Sequence, residues 1–248
     1  MKISVITVAF NAEKTIGDTI HSVAAQAWDE VEHIVIDGAS TDGTLGVILN
    51  NENKITKWIS EADHGLYDAM NKGIDLATGD VIGFLNADDI YANDNVLTRV
   101  GSVLRGGIDG CYADVDFVRN DLRTVVRRYR SDRFHIGRLA YGWMPAHPSL
   151  FLRRELFERY GAFKLDYRIA ADYELVVRFF YRFKIKAVYV PEVWVKMRLG
   201  GVSNRNLMSN YILSQEIVRA CRENGIQTNM FRVLLKYPLK MMEYVRRH

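Results

Sequence analysis

The chain predicts an α/β fold on a mostly parallel sheet, and three observations carry that expectation. Short β-branched apolar runs recur in the first half, among them Ile3 to Ala9 and Val81 to Leu85, as buried strands require. Between these runs, apolar residues recur at helical spacing. Each run also ends in a cluster of polar residues. Strand–helix alternation of this kind builds βαβ units with helices on both faces of the sheet.

Each element follows in order. After the first strand, Asn11 stands where a helix N-cap belongs, and Ile16, Ile20, Val23, Ala24 and Ala27 form one apolar face. "HIVIDGAS" is a second strand running into a glycine turn, and "STDGT" supplies capping side chains ahead of Leu45, Val47 and Ile48. "KWIS" is a short third strand. Leu66, Met70, Ile74 and Ala77 mark a helix, and "DVIGFLN" is the fourth strand. The second half is less regular. Thr98 to Leu104 reads as a helix, "CYADVDFV" as a strand, and "RTVVRRYRSDR" as an alternating, Arg-rich strand or hairpin arm. "RRELFERYG" is a helix closed by Gly161, "ADYELVVRFFYRF" an amphipathic helix, and "AVYVP" a strand. Two helical segments follow after about Ser203.

Composition narrows the function classes. At 48% hydrophobic and 25% charged, the chain is an ordinary globular protein. Its net charge of +3 predicts no nucleic-acid partner. Cys111 and Cys221 lack motif spacing, which argues against a disulfide framework or zinc site and for a reducing, cytoplasmic setting. The opening run reads as a strand rather than a secretion signal. No run reaches the roughly 18 apolar residues of a membrane span. A soluble or peripheral protein is expected, and no feature specifies an oligomeric state.

In a parallel α/β sheet, ligands bind at the carboxyl ends of the strands. That rule singles out Val8 to Asn11, Asp37 to Asp42, Asp63, and Asn86 to Asp89. Read alone, Asp88 and Asp89 suit a turn opening, a Mg²⁺ or Mn²⁺ site, or acid–base chemistry. Asp37 suits either a turn cap or an acceptor for a base or ribose. No Gly-x-Gly-x-x-Gly follows the first strand and no P-loop is present, which disfavours a dinucleotide site. Any nucleotide phosphates must then be met by metal and basic side chains.

Taken together, "SVITVAFN", "IVIDGASTDGT" and "EADHGLYDAMNKGIDLATGDVIGFLNADD" resemble the N-terminal half of family 2 glycosyltransferases. These have the GT-A fold, a Rossmann-like, mostly parallel sheet flanked by helices. "HPSLFLRRELFERYGAFKLDYRIAADYELVVR" resembles the family's acceptor-side segment, and "MRLGGVSN" the closing segment of a bacterial surface-polysaccharide subgroup of colanic-acid type. The likeness covers roughly residues 1 to 205, divided into a nucleotide-sugar half (1–95) and an acceptor-side half (96–205), with a helical extension at 206–248.

The resemblance implies roles. Ala9 and Asn11 line the nucleotide pocket, Asp37 contacts the base, and Asp63 lies against the nucleoside. Lys72 either serves the pyrophosphate or closes its helix. Asp89, with Asp88 beside it, corresponds to the metal-binding end of the Asp-x-Asp signature, holding Mn²⁺ or Mg²⁺. Asp172 matches the second acid of the Glu/Asp-Asp pair, the general base. An inverting displacement follows, in which Asp172 deprotonates the acceptor hydroxyl and the metal stabilises the departing nucleoside diphosphate. The expected donor is a nucleotide sugar, UDP-linked by preference, and the acceptor a glycan or polyprenyl-linked glycan. His147 is either a structural residue or faces donor phosphates or acceptor. Arg198, Gly200, Gly201 and Ser203 form a polar segment able to close over phosphates.

Two positions depart from the pattern: Asn86 replaces the first acid of Asp-x-Asp, and Ala171 the first acid of the second pair. The Gln-x-x-Arg-Trp motif of processive synthases is absent, which favours addition of a single sugar. Arg232, Lys236, Lys240 and Arg247 recur at helical spacing among apolar residues. A basic amphipathic helix of this kind reads as membrane-surface binding, with packing on the catalytic domain or another subunit as the alternative. A sugar nucleotidyltransferase and a non-catalytic carbohydrate- or nucleotide-binding protein are the competing functions.

Overall fold

The computed structural model describes residues 1–199 and 207–235. They form two compact units, each assembled from separate stretches. The first comprises Met1–Asp132, Pro145–Phe163 and Lys186–Leu199. The second comprises Arg133–Met144, Lys164–Ile185 and the described part of Gly200–His248. Hydrogen bonds and ion pairs tie Glu216, Arg219 and Glu223 to the 164–170 segment, so those distant stretches group together.

The first unit holds the sheet. Strands β1 (Ile3–Ala9), β2 (Val31–Asp37), β3 (Lys57–Ser60) and β4 (Val81–Phe84) are parallel, in the order β3-β2-β1-β4. All seven residues of β1 and all four of β4 are buried, which explains their largely apolar, β-branched character. The remaining strands are β5 (Ile90–Tyr91), β6 (Gly110–Val118), β7 (Val125–Tyr129), β8 (Phe151–Arg153) and β9 (Ala187–Arg198). They extend the sheet as β4-β8-β6-β9-β5, and β7 pairs with β6 in an antiparallel hairpin. β8 runs antiparallel to both of its neighbours, so this half is mixed. Pro191 falls inside β9, where a proline cannot donate to a ladder. The register shifts there: Tyr112 faces Tyr189, but Asp114 faces Val193.

Helices α1 (Ile16–Ala24), α2 (Thr44–Asn50), α3 (Leu66–Leu76), α4 (Val96–Leu104) and α5 (Arg154–Tyr160) complete this unit. Two local expectations are corrected. Asn11 does not cap α1, whose N-cap is Thr15; it stands five residues before the helix with φ of 51°, a left-handed conformation that asparagine tolerates. Leu66 does not face the core. It is 50% exposed, and Tyr67 is buried instead, its ring 5.6 Å from that of Phe163.

At the sheet end where β1, β2 and β4 begin, the buried carboxylate of Glu32 accepts from the Ser4 hydroxyl (2.6 Å) and the Thr78 N–H (2.7 Å). Lys2 and Lys57 also approach it, each at 3.1 Å. Burial alone would raise the Glu32 pKa, but these hydrogen bonds outweigh burial and hold it well below the usual carboxylate range. This hub fastens the end of the sheet opposite the ligand edge.

The second unit contains α6 (Ala171–Val176), which continues as a π-helical turn over Val177–Arg182, with α7 (Leu207–Glu223) and α8 (Met230–Leu234). The amphipathic helix expected here is thus an α-helical start followed by a wider turn. Tyr173 donates its hydroxyl to the Leu139 carbonyl inside this unit. Gly200, Gly201, Ser203, Lys236, Lys240 and Arg247 lie outside the described residues.

Candidate active site

Parallel register brings the predicted strand ends side by side. Ala9 pairs with Asp37, and Asp37 with Ser60. Beyond β4, the Leu85 N–H donates to Ile6 O (3.0 Å) and the Ala87 N–H to Val8 O (3.3 Å). The Asn86–Asp89 turn therefore runs along the same edge as Ala9.

Asp37 is fully buried. Its carboxylate accepts from the Ser40 hydroxyl, the Ser40 N–H at 3.2 Å and the Ser60 hydroxyl at 2.6 Å. Ser40 in turn accepts from the Asn11 N–H at 2.8 Å, and the Asn11 side-chain oxygen accepts from the Thr41 N–H at 2.9 Å. Asn11 thus stitches the loop after β1 to the loop after β2. Asp63 lies directly over Gly38, where an added Cβ would come within 2.3 Å of its carboxylate oxygen. Glycine is required at that position for Asp63 to sit there. Lys72 donates to the Ala62 carbonyl (2.9 Å) and pairs with Glu61 (2.8 Å). The Glu61 hydrogen bond raises its pKa. In this arrangement Lys72 latches the 61–63 loop.

Asp88 and Asp89 differ sharply in environment. Asp89 is 1% exposed, and one of its carboxylate oxygens is buried without a hydrogen-bond partner. Burial, and then the adjacent Asp88 charge, push its pKa well above the carboxylate range. Asp88 is partly exposed, and burial raises its pKa as well. The main chain of this turn is anchored on two sides: Thr19 donates its hydroxyl to Asp89 O (2.7 Å), and Arg198 donates to Asp88 O (2.9 Å). Arg198 also pairs with Asp18 of α1.

His147 opens a short 3-10 turn. Its ring stacks on Phe84 at 5.5 Å and meets the edge of Phe163 at 5.9 Å. In the second unit, Asp172 is the second residue of α6 and accepts from the Tyr173 N–H at 2.7 Å. From Ala170 to Phe180 it is the one residue that is not buried.

Phe10 falls within the strand end Val8 to Asn11 that the sequence singles out, and it is 66% exposed just past β1. Ser40 and Ser60, which satisfy Asp37, have only capping and strand patterns in the sequence. Asp18 and Thr19 were hidden inside a helix pattern.

The sequence profile of glycosyl transferase family 2 matches residues 4–161. The chain belongs to glycosyl transferase family 2. Among the relatives of this family 2 glycosyltransferase is the PGL/p-HBAD biosynthesis glycosyltransferase of Mycobacterium tuberculosis. That protein is 31% identical over 206 residues, covering 81% of this chain and 78% of the relative. An uncharacterized glycosyltransferase of the same species is 33% identical over 187 residues, covering 71% and 68%. Among solved structures, Staphylococcus aureus TarS 1–349 in complex with UDP superimposes with a TM-score of 0.70 at 20% identity, covering 92% of this chain and 67% of that one. The mannosyltransferase PcManGT from Pyrobaculum calidifontis, in complex with GDP-Man and Mn²⁺, gives 0.65 at 21%, covering 94% and 68%. These likenesses establish the GT-A fold for the family 2 glycosyltransferase described here.

Proposed function

We propose that this glycosyltransferase moves a sugar from a nucleotide-sugar donor, by preference UDP-linked, to a hydroxyl of a glycan or polyprenyl-linked acceptor in bacterial surface-polysaccharide synthesis, with inversion at the anomeric carbon. The observation that carries the reading is the alignment of Ala9, Asp37 and the 86–89 turn along one sheet edge, where α/β sheets bind ligands. Structural neighbours crystallised with UDP, UDP-GlcNAc and GDP-Man support the donor class.

On this reading Phe10 offers a stacking face to the base, and Asn11 and the buried Asp37 hold the loops around it. Asp63, over Gly38, lies against the nucleoside. Arg198 sets the Asp88 main chain from below, and His147 supports β4 through Phe84. Among the described residues no group of three or more His, Cys, Asp or Glu side chains gathers around a common point. Two adjacent carboxylates, one with an orphaned oxygen, nevertheless fit a hard cation that shares its coordination with substrate phosphates. Asp88 is the more accessible donor and Asp89 the deeper one, so the lead passes from Asp89 to Asp88. Mn²⁺ or Mg²⁺ held there supplies Lewis-acid stabilisation of the leaving diphosphate.

Asp172 takes the proton of the acceptor hydroxyl as that oxygen bonds to the anomeric carbon and the carbon–phosphate oxygen bond breaks. Its place as the exposed acid on an otherwise buried helix start supports this role. A panel of UDP- and GDP-sugars assayed for metal-dependent nucleotide release tests the whole reading, and Asp172→Asn tests the base. Transfer should vanish in that variant while UDP binding by calorimetry persists; turnover at the wild-type rate would remove Asp172 from the role.

No helix among the described residues is long and apolar enough to cross a membrane. Peripheral attachment through the basic C-terminal segment suits a polyprenyl-linked acceptor, and the exposed Phe231 and Leu234 of α8 lead into that segment. Flotation of the full chain with anionic liposomes should exceed that of a chain ending near Thr228. Equal flotation would remove the membrane role.

A further inference from the structure

We propose that Glu216 of α7 is a positioning residue for Asp172, so that the C-terminal helix is part of the transfer apparatus. The inference rests on the reading of Asp172 as general base. It begins from the way α6 starts. The N-cap position is Ala170, whose side chain cannot cap, and no side-chain cap bond is made locally. The three N–H groups just ahead of the helix, those of Arg168, Ile169 and Ala170, meet an acceptor from outside this segment. They converge on one carboxylate from another element. Glu216 accepts from Arg168 N–H at 2.7 Å, Ile169 N–H at 2.9 Å and Ala170 N–H at 2.8 Å. Successive main-chain N–H groups around one anion form a nest, and here the anion is built into the protein.

The contact is one of a set. Glu216, Arg219 and Glu223 lie three and four residues apart, which puts them on one face of α7. Arg219 donates to the Asp166 carbonyl at 3.0 Å and lies 4.4 Å over the Tyr167 ring. Glu223 accepts from Lys164 and from the Tyr167 hydroxyl, each at 2.9 Å. This face of α7 therefore grips the segment 164–170 along its length, and Asp172 follows two residues later. Arg219 and Glu223 hold side chains and the start of the segment. Glu216 holds the main chain where it turns into α6, so its loss tilts the helix start and moves the Asp172 carboxylate. Misplacement of a catalytic group by about 1 Å costs on the order of 100-fold in rate.

The test uses the full chain, Mn²⁺, and whichever of UDP-glucose, UDP-GlcNAc and GDP-mannose the wild type turns over. Glu216→Ala should lower kcat by about 10- to 100-fold while leaving donor KM and UDP affinity within about twofold. Amide exchange should accelerate at residues 168–176 and remain unchanged in β1 and β2. Glu216→Gln, which keeps an acceptor oxygen, should recover most of the rate. If Glu216→Ala is unfolded at the assay temperature, Glu216→Asp, one methylene too short to reach the nest, takes its place with the same expectation. Wild-type kcat in the shortened variant, or a fall in UDP affinity matching the fall in kcat, overturns the inference. Asp172→Asn is assayed alongside. If that variant remains active, the base assignment fails; if it is dead while Glu216→Ala is fully active, only the positioning role fails.

Discussion

Arg198, at the end of β9, donates to the main-chain carbonyl of Asp88 at 2.9 Å. Its side chain is only 7% exposed, and the guanidinium also pairs with Asp18 of α1. One cation thus joins the last residue of a strand, the start of a helix and the acidic turn. Arg198→Ala leaves the Asp88 carbonyl and the half-exposed Asp18 carboxylate without their partner, which should cost about 1–2 kcal/mol in urea denaturation. UDP affinity should fall with it. Arg198→Lys should restore only part of both, because one ammonium does not reproduce the two-pronged guanidinium.

The two aspartates of the turn should separate by calorimetry. Asp88→Asn is expected to weaken Mn²⁺-dependent UDP binding by at least about tenfold, since Asp88 is the accessible carboxylate. Asp89→Asn should have the smaller effect, because the Asp89 carboxyl is buried and its pKa is already pushed well up. Reversed losses would return the leading role to Asp89.

Phe10 is exposed although it follows a strand whose seven residues are all buried. Phe10→Ala should change stability by no more than about 0.5 kcal/mol. Base–aromatic stacking contributes about 1–3 kcal/mol, so UDP affinity should fall by roughly tenfold or more. Equal affinities for the two proteins would take Phe10 out of the pocket.

His33 supplies a pH dependence. It is buried on β2, its Nε2 lies 3.0 Å from the Thr7 hydroxyl, and burial lowers its pKa from 6.5 to about 4. A depressed histidine contributes stability that is fully present above pH 6.5 and is lost as pH falls toward 4. By pH 5 the loss is about 2 kcal/mol. Urea midpoints at pH 7.5 and 5.0 should show it, and His33→Gln should flatten that difference.

Much of the edge was legible before any coordinates. Periodicity located β1, β2 and β4, and parallel pairing then requires Ala9, Asp37 and the 86–89 turn to share one side of the sheet. Local readings failed where geometry depends on distant partners. Asn11 stands at a cap position in the sequence, yet its left-handed backbone is held by Ser40 and Thr41, 29 and 30 residues away. Leu66 fits a core pattern in the sequence because a one-residue rotation of α3 leaves the apolar spacing nearly unchanged.

The sequence by itself determined the family, the α/β class and the strand-end motifs, because strand and helix periods and short motifs are local properties of the chain. Tertiary structure alone decided which of Asp88 and Asp89 is accessible, since adjacent side chains diverge according to the path of the turn that Thr19 and Arg198 anchor. It alone also revealed the Glu216 carboxylate under the start of α6, 46 residues beyond Ala170. A contact over that separation is set by how α7 lies on the 164–170 segment, and no spacing along the chain encodes it.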